Sequence, residues 1–146
     1  MSTALRIITW FKDIGKNDIG IVGGKGANLG ELSQADIPVP PGFIVTVQAY
    51  FSFIDSAGLK GAIKDRLTGL DTESKQLNIA AAELQELVMK AEMPAEIARQ
   101  IEEAYAKIGG LVAVRSSATA EDLPGASFAG QHSTFLNIQG GKEVVQ

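Results

Sequence analysis

Residues 22–32 read Val22-Gly23-Gly24-Lys25-Gly26-Ala27-Asn28-Leu29-Gly30-Glu31-Leu32. Glycines crowd the start of this stretch, and apolar residues return at helical spacing toward its end. From about Gly24 to Ala35 the pattern predicts a helix, with Ala27, Leu32 and Ala35 on one face and Leu29 beside them. Glycines ahead of a helix let backbone N–H groups point at an anion, and the helix start adds the positive end of its dipole. Lys25 adds a full charge on a flexible stem. Together these make a phosphate-binding candidate. The stretch is not a Walker A motif, which needs Gly-x4-Gly-Lys-Ser/Thr. It also misses the dinucleotide fingerprint, because Gly26 to Gly30 is one residue too wide. A second reading stands beside the first: a turn, a helix start and a solvated lysine.

Working outward, residues 5–11 (Leu-Arg-Ile-Ile-Thr-Trp-Phe) predict a strand or extended segment. Residues 13–23 carry Asp, Asn and glycines and read as loop. Pro38, Pro40 and Pro41 force extended backbone after the first helix. Phe43–Val45 predicts a short buried strand, and Thr46 an N-cap for a helix to Ala57, closed by Gly58. Residues 59–68 form a further helix. The stripe Leu77, Ala80, Ala81, Leu84, Leu87, Val88 and Ala91 predicts another. Pro94 opens a last one, with Ile97, Ile101, Ala104, Tyr105 and Ile108 facing inward and Gly109-Gly110 ending it. Leu111–Val114 is a continuous apolar run, as in a strand covered on both faces. Thr134–Ile138 alternates like a strand. Residues 140–146 open a further helix.

Composition narrows the classes. The chain has 146 residues, a formal net charge of −4, a single histidine and no cysteine. Apolar residues make up 45%, and the mean hydropathy is +0.10, so the chain reads as globular. Without cysteine there is no thiolate chemistry and no cysteine-based metal site. One histidine rules out a multi-histidine metal site within the chain. No basic block points to nucleic acid. No apolar stretch reaches membrane-span length, and the N-terminus lacks a signal-peptide layout, so a cytoplasmic location is the default expectation. Glycine, 16 residues in all, is concentrated in residues 15–30 and 109–141.

The second glycine cluster lies within residues 111–138. A strand runs into Arg115, and functional side chains commonly sit at such a strand end. Ser116, Ser117 and Thr119 follow. Residues 124–130, Pro-Gly-Ala-Ser-Phe-Ala-Gly, then form a loop of small residues able to close over a polyphosphate through backbone N–H groups. The alternative is an ion pair from Arg115 to Asp122 or Glu121 and an ordinary hairpin connection. For His132 a phosphoryl-acceptor or general-acid role competes with a plain surface or capping role. No neighbour of a type that would activate it is evident.

Four ordered motifs together carry a resemblance. They are Val22–Leu32, then Ile37-Pro38-Val39-Pro40-Pro41-Gly42-Phe43, then residues 114–124 (Val-Arg-Ser-Ser-Ala-Thr-Ala-Glu-Asp-Leu-Pro), then Ala126-Ser127-Phe128-Ala129-Gly130-Gln131. The chain resembles the N-terminal nucleotide-binding domain of the phosphoenolpyruvate synthase (pyruvate, water dikinase) family, whose relatives include pyruvate phosphate dikinase and rifampin phosphotransferase. Residues 55–108 match in general character alone.

The resemblance implies an α+β, ATP-grasp-like nucleotide-binding domain with a mixed sheet and a helical middle, residues 1–146 being its N-terminal part in a truncated chain. In that family ATP is cleaved to AMP. The β-phosphoryl passes to a histidine on a separate domain, then to pyruvate on a further domain. Lys25 and Arg115 fall on phosphate contacts, with Arg115 also neutralising charge during transfer. Gly130 and Thr134 fall on the flap against the phosphates. The family's acid before that threonine is Ser133 here, which puts that acid's role in doubt, and His132 does not match the phosphocarrier motif. Magnesium ligands and adenine contacts are expected beyond residue 146, with none of the residues named here binding metal. Neither nucleic acid nor membrane is an expected partner, and a homodimer is an expectation for the full-length enzyme.

A rifampin phosphotransferase-like kinase shares this half. A free-standing, non-catalytic module that binds nucleotide or protein is the alternative from another class. Purified residues 1–146 are expected not to convert ATP and pyruvate to AMP and phosphoenolpyruvate. Nucleotide and product analysis by chromatography checks this, and conversion would sink the fragment reading.

Overall fold

A computed structural model describes residues 5–70, 75–119 and 133–146. Strand β1 (Ile8–Trp10) is followed by short 3-10 turns at Phe11–Asp13 and Lys16–Asp18 and by helix α1 (Ile19–Gln34). Then come β2 (Phe43–Val45), α2 (Val47–Ser56), α3 (Leu59–Leu67), α4 (Lys75–Lys90) and α5 (Ala95–Ile108). The chain continues as β3 (Val112–Arg115), β4 (Thr134–Ile138) and α6 (Gly141–Val145). The α+β class is as expected. Where a mixed sheet is expected, the described strands form two antiparallel pairs, β1 with β2 and β3 with β4. The chain divides into two compact units, residues 1–50 with 95–146, and residues 51–94. No helix among the described residues is long and apolar enough to cross a membrane.

In the first unit, β1 and β2 pair Ile8 with Val45, Thr9 with Ile44 and Trp10 with Phe43. The rings of Trp10 and Phe43 meet edge to face with centroids 5.7 Å apart. Thr46 caps α2 as its sequence position predicts. Its Oγ1 accepts from Ala49 N at 3.3 Å and donates to the Arg6 carbonyl, so this fully buried hydroxyl is satisfied on both sides. On α5, Ile97, Ile101 and Ala104 are buried at the predicted spacing. On the outer face of that helix Arg99 bonds Glu96 and Glu103. The Arg99 hydrogen bond, aided by Gln100, holds the Glu96 carboxyl down at about 2. At the end of α5, the Tyr105 hydroxyl donates to the Gly110 carbonyl at 2.7 Å and accepts from Gly140 N at 2.8 Å. One side chain thereby fastens the entrance of β3 to the start of α6.

In the second unit, α3 packs on α4. Phe53, Ile54, Leu59 and Ala80 are its buried apolar residues. The α4 stripe is partly covered at Leu77, Leu84, Val88 and Ala91, whereas Ala81 and Leu87 are exposed, so the covered face is narrower than the apolar pattern suggests.

Two expectations are corrected. The loop read at 13–23 is already helical from Ile19, and α1 is interrupted at Gly23, whose φ of 73° and ψ of 170° lie outside the helical region. Helical backbone resumes at Gly24, where the sequence pattern starts it. The buried face of α1 is also different. It consists of Val22, Gly23, Gly24, Gly26, Ala27 and Gly30, while Leu32 and Ala35 are exposed. The reason is a close backbone approach. A Cβ on Gly30 would stand 2.2 Å from the Ile14 carbonyl oxygen, and Gln34 Nε2 donates to the same oxygen at 2.9 Å. Glu31 Oε1 accepts from Lys16 N at 2.7 Å. Ile14, Val22 and Ala27 form the small core beneath, flanked by Ile19, Ile21 and Ile44. Large side chains on this face would hold α1 off the chain that it touches.

Strand β3 is likewise covered on one face. Val112 and Val114 are half-buried, Ala113 and Arg115 are exposed, and Leu111 is 64% exposed. Among the described residues its ladder partner is β4.

Gly20 and Gly30 lie on one helix in opposite circumstances. Gly20 is exposed, and a Cβ added there would meet nothing within 4 Å. Gly20→Ala is expected to stabilise the protein by about 0.5 kcal/mol through lower unfolded-state entropy. Gly30→Ala is expected to destabilise it by about 1–3 kcal/mol, since backbone must give way. Urea titrations of both variants check the opposite signs.

Candidate anion site

The first glycine cluster meets the segment that follows β3, within the first unit. At Gly23 the chain turns out of the helical path with φ in the left-handed range, which favours glycine. The turn lies directly on the segment that follows β3. Gly24 N donates to the Ala118 carbonyl at 3.2 Å. Ser117 Oγ donates to the Val22 carbonyl at 3.3 Å. Lys25 Nζ donates to the Ser116 carbonyl at 3.3 Å. The approach is so close that a Cβ on Gly23 would fall 2.2 Å from Ser117 Oγ. Gly23 is therefore fixed twice, by its dihedral angles and by the space available.

Arg115 and Thr134 face each other across the second ladder. The register pairs Arg115 with Thr134 and Val114 with Phe135, and directly opposed residues project from the same face of an antiparallel pair. The ladder extends one step further, with Ser116 N donating to the Ser133 carbonyl at 3.2 Å. Between Val112 and Val114 the register shifts, and Asn137 opposite has φ 60°. This bulge re-aims the end of the hairpin. Arg115 and Thr134 are exposed, and Lys25 is half-buried.

Three of the four expected binding residues are thus described. Lys25 stands one residue beyond the Gly24 contact, against the carbonyl of the residue that follows Arg115. Arg115 has Thr134 as its cross-strand neighbour. Gly130, the flap loop before it, and His132 lie outside the described residues, as do Asp122 and Glu121, the alternative partners of Arg115. Sequence reasoning misses the way residues 22–25 and 116–118 are joined. In the sequence Ser117 is one of three hydroxyls with no separate role, and Gly23 is one glycine among several. The Gly-Gly pair followed by lysine, and the Ser-Ser pair after arginine, are the signals that mark the seam.

The arrangement has the parts of an anion site. A helical segment starts at a glycine turn, with one ammonium beside it, and one guanidinium and one hydroxyl share a strand face nearby in the chain. Among the described residues no group of three or more His, Cys, Asp or Glu side chains is placed to hold a metal ion.

Comparison with known proteins bears on this geometry. Residues 19–146 match the family described as pyruvate phosphate dikinase, AMP/ATP-binding domain. The chain is 48% identical to a probable phosphoenolpyruvate synthase of Methanothermobacter thermautotrophicus over 97% of its length and 22% of the relative's. It is 50% identical to a probable phosphoenolpyruvate synthase of Archaeoglobus fulgidus, over 95% of this chain and 19% of that one. A probable phosphoenolpyruvate synthase of Methanocaldococcus jannaschii is 46% identical, over 98% of this chain and 13% of the relative. The chain spans about a fifth or less of the length of these curated relatives. Both kinds of match take in the Gly23 turn and the strand that ends at Arg115, and the chain belongs to the pyruvate phosphate dikinase AMP/ATP-binding domain family.

Proposed function

We propose that this chain is the ATP-binding part of a phosphoenolpyruvate synthase-like dikinase. The overall reaction is ATP, pyruvate and water giving AMP, phosphoenolpyruvate and phosphate, through a phosphohistidine on another domain. The observation that supports this reading most directly is the seam between residues 22–25 and 116–118. It joins the two segments that carry the candidate phosphate ligands, although more than 90 residues separate them.

In this reading Lys25 and Arg115 hold the ATP phosphates. Their positive charges offset the charge on the polyphosphate and on the oxygens that become more negative as the phosphoryl group leaves. Thr134, across the ladder from Arg115, supplies a hydroxyl to the same anion, and Gly130 belongs to the same proposal as a phosphate contact. Lys25 exchanges a carbonyl partner for a phosphate oxygen, which keeps the ammonium hydrogen-bonded in both states. Magnesium accompanies ATP in this chemistry and neutralises phosphate charge when bound. None of the residues named here is assigned to it. Pyruvate meets other parts of the longer enzyme, and a homodimer of the full-length protein belongs to the same proposal, as does a cytoplasmic setting. The names of the relatives favour this reading over a rifampin phosphotransferase-like one, which shares the same half.

Lys25→Ala and Arg115→Ala are each expected to weaken binding of ATP with Mg²⁺ by roughly 10- to 100-fold, the usual worth of a charge-assisted hydrogen bond. Calorimetric titration on the full-length protein that carries this segment checks it. Unchanged binding in both variants removes the site assignment.

A further inference from the structure

Among the described residues the seam includes three hydrogen bonds that differ in kind. The bond from Gly24 to Ala118 is main chain to main chain. The bond from Lys25 to Ser116 uses the side chain that would also serve the ligand. The third is given by a side chain with no assigned ligand role, the Ser117 hydroxyl, to the main chain of Val22. It acts at the residue before the turn, just as the Ala118 carbonyl acts at the residue after it. Gly23 is thus held from both sides, and the hydroxyl oxygen fills the space that a Cβ there would need.

Two successive glycines have wide conformational freedom, so this turn has many shapes open to it unless something outside it selects one. Lys25 begins immediately after the pair, and every change of the turn is passed on to its Cα. Arg115 is anchored differently, by the β3–β4 ladder. The relative placement of the two cations therefore depends on how firmly the turn is attached to residues 116–118.

We propose that Ser117 is a positioning residue for the anion site: its hydroxyl pins the Gly23 turn and so sets where Lys25 stands relative to Arg115. This rests on the nucleotide reading of the site. Ser117 acts through Lys25 and need not touch the ligand. With the pin removed, Lys25 samples several positions, and the ligand has to order it on binding. An alternative is a plain stabilising hydrogen bond, which would lower the stability of the fold and leave the cations in register.

The test is a double-mutant cycle on the full-length protein, with ATP and Mg²⁺ titrated calorimetrically and thermal midpoints measured alongside. The variants are Ser117→Ala, Ser117→Thr, Lys25→Met and the Ser117→Ala/Lys25→Met double. Ser117→Ala is expected to weaken binding about fivefold, in line with one hydrogen bond. Ser117→Thr keeps the hydroxyl and is expected to restore binding. In the Lys25→Met background Ser117→Ala is expected to cost nothing further, because the group it positions is gone. If the two effects multiply, or if Ser117→Ala binds as tightly as the parent while Lys25→Met is weakened, the positioning role is overturned and the nucleotide site stands. If Lys25→Met itself binds normally, the nucleotide site falls and the positioning role falls with it. Should Ser117→Ala not fold, Ser117→Cys takes its place in the cycle, as a near-isosteric and weaker donor with a smaller expected loss.

Discussion

The Val22 carbonyl accepts from Ser117, and the Ala118 carbonyl accepts from Gly24, between positions more than 90 apart in sequence. This reciprocal pair, on either side of Gly23, is the constraint on which the rest of the site depends. It brings a helix that resumes at Gly24 to the end of a strand that finishes at Arg115. Without it Lys25 would be a half-buried lysine on one element and Arg115 an exposed arginine on another. With it, Lys25 is bonded to the carbonyl of the residue that follows Arg115.

The same constraint explains why α1 is so poor in large side chains on its covered face. A helix that must meet Ile14 on one turn and residues 116–118 on another needs close backbone approach at both places. Gly30 provides the first contact and Gly23 the second. Bulk apolar residues, which give most helices their grip, would separate the surfaces. Grip comes instead from Gln34 and Glu31, whose side chains bond the Ile14 carbonyl and the Lys16 amide, and from the small core of Ile14, Val22 and Ala27.

Much of this was legible in the residues. The helix over 95–108, its three buried positions, the Thr46 cap and the existence of strands at 43–45 and 134–138 follow from local pattern and capping chemistry, although 43–45, expected buried, leaves Val45 exposed, and 134–138 does not alternate in burial. Lys25 and Arg115 stand out as charges beside glycine-rich stretches, whereas Thr134 enters through the family resemblance alone. Three things were not legible. The inner face of α1 escaped because hydrophobic patterning has no signal for a face made of glycine. The single-sided covering of β3 escaped because an apolar run of four looks the same whether one face or two is covered. The pairing of Ser117 with Val22 escaped because a hydrogen bond between distant positions leaves no period in the sequence.

The separation of the partners also fixes when the seam can form. A ribosome delivers residues 19–34 well before residues 116–118. The acceptor for Gly24 exists only once Ala118 has been made, and Lys25 likewise lacks its carbonyl partner until Ser116 has emerged. Closing so long a loop is a modest entropic penalty, because that penalty grows with the logarithm of length, but it is met only after the intervening chain is available. Assembly of the seam therefore waits for residue 118. Until then a nascent chain carries Lys25 without the Ser116 carbonyl to which it donates in the folded protein.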